Sequence, residues 1–131
     1  MTYEEIKEKY GFGKQKRKPR QEETQLQTAC VSWFRMQYPD YIIFSVPNGS
    51  SRNPIEGANL KKAGALAGVS DLVILADKGR TLFIEMKVKK RKQSLNQKRF
   101  EVYVNRLGFT YCVARSVKDF IKCVKTWLSN E

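Results

Sequence analysis

Residues 71–88 read DLVILADKGRTLFIEMKV. Asp71 to Ala76 and Thr81 to Val88 are two apolar or β-branched runs, and Asp77-Lys78-Gly79-Arg80 between them is a turn, so the stretch reads as a strand hairpin. Side chains alternate across a strand. In the second run Phe83, Glu85 and Lys87 therefore share one face, and Leu82, Ile84, Met86 and Val88 share the other. Two charges interrupt a strand that is otherwise apolar enough to lie in the middle of a sheet.

Helical spacing flanks this hairpin. From Glu22 to Tyr38 the apolar positions Leu26, Ala29, Cys30, Trp33 and Phe34 form one stripe that Pro39-Asp40 ends. Tyr41 to Val46 reads as a strand closing at Pro47-Asn48-Gly49. Asn53-Pro54 opens a further helix carrying Leu60, Ala63, Leu66 and Ala67 up to Gly68. Beyond the hairpin, Ser94-Leu95-Asn96-Gln97 resembles a capping box, with Phe100, Tyr103, Val104 and Leu107 marking the helix behind it as far as Gly108. Phe109 to Ala114 is another strand, and Ser116 caps a last helix with Val117, Phe120, Ile121, Val124 and Leu128 inward. The order predicts an α/β fold, a mixed central sheet flanked by helices.

With 131 residues the chain fits one domain. Residues 1–21 read as a basic N-terminal arm, an appendage in which Thr2 caps a short helix ending near Tyr10, followed by Lys14, Lys16, Arg17, Lys18 and Arg20. Residues 22–131 form the domain proper. Twenty-five Lys and Arg against thirteen Asp and Glu give a formal charge of +12, which suits a polyanionic partner and salt-sensitive binding without sequence preference. There is no histidine, which excludes Ser-His-Asp triads, HNH-type nucleases and most zinc hydrolases, and leaves carboxylates and lysines as catalytic groups. Cys30, Cys112 and Cys123 are odd in number, widely spaced and set among apolar residues, a pattern of reduced core thiols. No apolar run is long enough to span a bilayer and the N-terminus carries no apolar signal segment, so the expectation is no membrane and residence where the chain is made.

Asp71 at the start of one strand and Glu85 in its hairpin partner can approach one point, with Lys87 on Glu85's face. Two carboxylates, a main-chain carbonyl and waters are the hard oxygen donors that Mg²⁺ prefers. An ammonium group beside a metal-bound water can stabilise developing hydroxide. An arbitrary Glu-x-Lys on a strand is more often a pair of solvent-facing charges. Against that stand the apolar strand, the acid delivered at a strand start and the basic surface.

The ordered series Glu23 with Gln27, Pro47-Asn48-Gly49, Gly64, Gly68-Val69-Ser70-Asp71, Glu85-Met86-Lys87, and Ser94 with Gln97 resembles the VRR-NUC branch of the PD-(D/E)xK nucleases, from about Glu22 to Lys118. Ser70 stands where the superfamily name has proline. The resemblance implies a restriction-endonuclease-like core, Mg²⁺ or Mn²⁺ as cofactor, Asp71, Glu85 and the Met86 carbonyl as metal ligands, Lys87 as the water-positioning base, Gln97 as a helper and Glu23 as the helix carboxylate. Gln97 could equally serve only the helix cap, and Glu23 with Gln27 could be an ordinary surface pair. DNA contacts are expected at Arg52, at Lys89, Lys90, Arg91 and Lys92 after the Glu-x-Lys strand, at Lys98 and Arg99, and on the N-terminal arm. Such contacts go to phosphate and carry no sequence information.

By the same resemblance the partner is branched or nicked DNA in replication, recombination or repair, the chain a homodimer with a possible helicase partner, and the setting the cytoplasm of a bacterium or virus-infected cell. Two other readings stay open at this level. One is a non-catalytic nucleic-acid-binding module on the same scaffold; the other is a sequence-specific restriction-type endonuclease, for which few segments are long enough to read bases.

Overall fold

The computed structural model describes residues 2–10, 19–47 and 54–130. In chain order these form α1 (Tyr3–Tyr10), α2 (Pro19–Gln37), β1 (Ile42–Ser45), α3 (Pro54–Lys62), β2 (Leu72–Leu75), β3 (Thr81–Met86), α4 (Leu95–Arg106), β4 (Thr110–Ala114) and α5 (Val117–Ser129). The four strands make one sheet in sequence order. β1, β2 and β3 are antiparallel neighbours, and β4 lies parallel to β3. That last step requires a crossover, which α4 supplies.

Register places the alternating hairpin side chains as their periodicity demands. Leu72 faces Ile84 and Ile74 faces Leu82, and with Ile43, Met86 and Ala114 they form the buried face. α2 and α5 cover it through Leu26, Ala29, Cys30, Trp33, Phe34, Phe120, Val124 and Trp127 in one core cluster. On the opposite face Phe83 packs edge-on against Phe100 of α4 and against Phe109, with ring centroids 5.3 and 5.7 Å apart. α4 thus lies over β3 and β4. Ile42 and Phe44 of the edge strand β1 remain 57% and 42% exposed.

Several elements depart from their sequence expectations. Thr2 does cap α1, its hydroxyl accepting from the Glu5 N–H at 3.2 Å while the Glu5 carboxylate accepts from the Thr2 N–H at 3.0 Å. Yet Ile6 is wholly buried in the central core, so Tyr3–Tyr10 belongs to the packed body rather than to an appendage. α2 begins at Pro19, three residues before Glu22, because proline is well tolerated in a first helical turn. α3 stops at Lys62 and buries none of its residues; Leu66, expected inward, is exposed. Tyr103 and Leu107 of the α4 stripe are likewise exposed, the latter by 73%, and Val104 is the buried member.

Cys112 and Cys123 were expected as reduced thiols and instead form a disulfide, their Cα atoms 6.7 Å apart. The cause is topological: Ser116 caps α5 directly after β4, so the helix folds back along the strand it has just left. Only Cys30 among the described cysteines is free, and burial pushes its thiol pKa far up. Among the described residues no helix is long and apolar enough to cross a membrane.

Candidate active site

The hairpin brings its two acids together because β2 and β3 pair with Leu72 opposite Ile84. Asp71, one residue before Leu72, then stands beside Glu85 and Met86, and its Oδ2 accepts the Met86 N–H at 2.8 Å. Ser70, wholly buried, donates its hydroxyl to the Leu72 carbonyl at 3.1 Å and pins the approach to the strand. The Val46 N–H bonds to the Asp71 carbonyl at 2.9 Å, drawing the end of β1 to the same point.

Glu85 is 1% exposed, the most deeply buried charged residue of the described chain. Its Oε1 accepts from Gln97 Nε2 at 2.8 Å, and its Oε2 is buried with no partner among the described residues. Glu23 Oε1, reaching in from α2, is buried and unpartnered in the same way. Loss of solvent pushes the Glu85 carboxyl up to about 9; the adjoining Asp71 carboxyl and the Glu23 charge add to this, and Lys87 opposes it. Leaving carboxylate oxygens dry and unpaired is costly unless a cation compensates.

Glu23, Gln27, Ser45, Pro47, Asp71, Glu85, Met86, Lys87 and Gln97 line one cleft of about 450 Å³. Glu23, Gln27, Asp71, Glu85, Met86, Lys87 and Gln97, dispersed over the sequence, are therefore brought together. Gln97 both caps the helix and reaches the buried acid. Its Oε1 accepts the Ser94 N–H at 2.8 Å and its own N–H donates to Ser94 Oγ at 3.2 Å, completing the capping box, while its amide nitrogen holds Glu85. The start of α4 is thus fastened to the buried acid.

Gly68 makes that approach possible. It adopts φ +86°, and a Cβ there would lie 2.3 Å from the Asn96 carbonyl oxygen, so only a residue without a side chain lets the first turn of α4 come this close.

Lys89, Lys90, Arg91 and Lys92 follow Lys87 on an exposed loop, and Lys98 and Arg99 are exposed just after Gln97. Lys89 pairs with Glu22 at 3.3 Å. Arg52 and Asn48 lie outside the described residues, as do Lys14, Lys16, Arg17 and Lys18. Sequence reasoning missed Arg115, which clamps the basic loop: its Nη1 donates to the carbonyls of Lys89 at 3.0 Å and Arg91 at 2.6 Å. No local signal could have found it, since its partners lie 24 and 26 positions away.

A divalent cation fits this donor set. Asp71 and Glu85 are hard oxygen donors of the kind Mg²⁺ takes, although among the described residues no three His, Cys, Asp or Glu side chains form a ready-made cage. The two unpartnered carboxylate oxygens are where positive charge would be most stabilising.

A mixed sheet with its acids at a hairpin and a lysine two residues beyond the second acid is the arrangement that the resemblance to VRR-NUC domains implied. The comparisons agree. The VRR-NUC domain family model matches residues 21–118, and the chain belongs to that family, whose members are generally nucleases. The solved structure of a "VRR_NUC domain protein" superposes with a TM-score of 0.63 at 22% identity, covering 82% of this chain and 88% of the other. A second, a "VRR_NUC domain", gives 0.55 at 19% identity, covering 79% and 94%. At these identities the likeness carries the fold. No curated protein matches.

Proposed function

We propose that the protein is a Mg²⁺- or Mn²⁺-dependent endonuclease that hydrolyses DNA phosphodiester bonds, selecting branched or nicked structures rather than a sequence. The observation that carries this reading is the unpartnered, buried Glu85 Oε2 beside Asp71 and Lys87 in an open cleft. Asp71, Glu85 and the Met86 carbonyl would hold the metal. When bound, such an ion polarises the phosphate and acidifies a coordinated water.

The remaining work falls to the chain. Lys87, which lines the cleft, would orient the attacking water and stabilise charge on it. Gln97 fixes the Glu85 carboxylate through Nε2, and Glu23 adds a second acid from α2. The exposed loop 89–92 with Lys98 and Arg99 supplies phosphate contacts that hold the duplex without reading bases. A homodimer, which would set two such clefts against two strands, is part of the proposal, as is a role in replication, recombination or repair, with or without a helicase partner.

The test is cleavage of labelled four-way junction, flap, nicked and linear duplex DNA in Mg²⁺, Mn²⁺ or EDTA. The proposal expects metal-dependent cutting that favours a branched or nicked substrate. One defined duplex site cut in preference to all of these would overturn the structure-selective part.

A further inference from the structure

The catalytic cleft does not end at its acids. A groove of about 560 Å³ between α2 and the edge strand β1 shares Gln27 and Ser45 with it, so the two form one trench. The added length is lined by Thr28, Val31, Ser32, Arg35, Met36 and Phe44. Its chemistry differs from the cleft: one cation, no acid, two hydroxyls and an aromatic ring.

Phe44 is 42% exposed, two strands away from Phe83 on the sheet face where α4 packs. Arg35 Nη2 donates to the Ile43 carbonyl at 3.4 Å, which rests the guanidinium against the edge of β1 one residue from that ring. Its other N–H groups are left to bind a phosphate. An aromatic ring beside an arginine is how proteins hold an unpaired nucleic-acid strand, by stacking a base and neutralising its backbone. With a formal charge of +12 on the chain, an anionic occupant is favoured, and continuity with the cleft makes that occupant part of the same substrate.

We infer that the α2–β1 groove is a subsite for a single-stranded DNA segment adjoining the bond to be cut, with Phe44 stacking a base and Arg35 contacting phosphate. This rests on the nuclease reading and names its substrate class as DNA with an unpaired arm. Phe44 is exposed and Arg35 lies at the surface, so neither belongs to the core or the acidic cluster, and substitutions at both should leave the fold intact.

The experiment compares binding, by fluorescence anisotropy in EDTA, of one labelled duplex made blunt or with a single-stranded oligothymidine tail at either end. The tail is expected to tighten binding about tenfold, the value of stacking one or two bases. Phe44→Ala should remove most of that gain and leave the blunt duplex unchanged, and Phe44→Trp should keep it. Arg35→Ala should reduce the gain and flatten the salt dependence for the tailed duplex alone. Equal binding of tailed and blunt duplex by wild type, or an equal loss on both with Phe44→Ala, would overturn the inference. Cleavage of the tailed duplex in Mg²⁺ is scored separately: failure to cut counts against the nuclease proposal, while the anisotropy comparison still decides the groove.

Discussion

Replacing Glu85 with glutamine should stabilise the metal-free protein, although it removes a group assigned to the active site. In the folded chain burial, then Asp71, holds the Glu85 carboxyl at about 9 against an ordinary 4.5. The sign follows from linkage. Below 4.5 the group is protonated in both states; as pH rises from there towards 9 the unfolded chain releases the proton and the folded chain keeps it, so wild type loses stability. At pH 7.5, about three pH units above the unfolded value, the loss is on the order of 4 kcal/mol, a large part of a small domain's net stability. Glutamine keeps the acceptor for Gln97 and cannot ionise. Urea unfolding in EDTA should therefore show Glu85→Gln more stable than wild type at pH 7.5, with the gap closing towards pH 4.5. Saturating Mg²⁺ should stabilise wild type by about 2.7 kcal/mol at a hundredfold excess over Kd, read as a higher urea midpoint, and leave the variant unmoved. A variant equal to or less stable than wild type at pH 7.5 would refute the reasoning.

Other consequences follow from single contacts. Gly68→Ala forces a Cβ into the Asn96 carbonyl; it should destabilise by about 1 to 3 kcal/mol, and reduce cleavage further by pulling Gln97 from Glu85, checked by unfolding and initial rates. Arg115→Ala frees the carbonyls of Lys89 and Arg91; it should cost about 1 kcal/mol of stability and weaken DNA binding several-fold, with a salt slope smaller by about one. Cys123→Ser opens the β4–α5 link, whose 11-residue separation corresponds to about 3 kcal/mol by loop entropy, read as a lower urea midpoint under non-reducing conditions that dithiothreitol abolishes.

The fold was legible where burial sets the pattern. β3 alternates because one of its faces meets α2 and α5, and that alone fixed the side on which Glu85 lies. α2 and α5 announce themselves by apolar stripes that are indeed buried. The stripe failed for α3 and for Tyr103 and Leu107, because apolar spacing predicts a buried face only where an element stands over it, and none of the described elements covers these positions. The site was legible in part: the hairpin joins Asp71 to Glu85 locally, and the family resemblance supplied Glu23 and Gln97. Gly68 stood in the quoted motif, but its reason, contact with Asn96, depends on α4. Arg115 clamps a loop 24 and 26 positions away, while the Cys112–Cys123 link and the trench past Ser45 depend on how consecutive elements fold back on one another, which no local signal encodes.

The central claim is that Asp71, Glu85 and Lys87 form a metal-dependent hydrolytic centre. Its most direct test is the initial rate of cutting of the preferred DNA in Mg²⁺ by wild type, Glu85→Ala and Lys87→Ala, with each variant's DNA affinity measured in parallel. The account predicts a rate loss of at least about 100-fold in each, with affinity within a few-fold of wild type and no wild-type cutting in EDTA. Full cleavage by either variant, or wild-type cutting in EDTA, would contradict it.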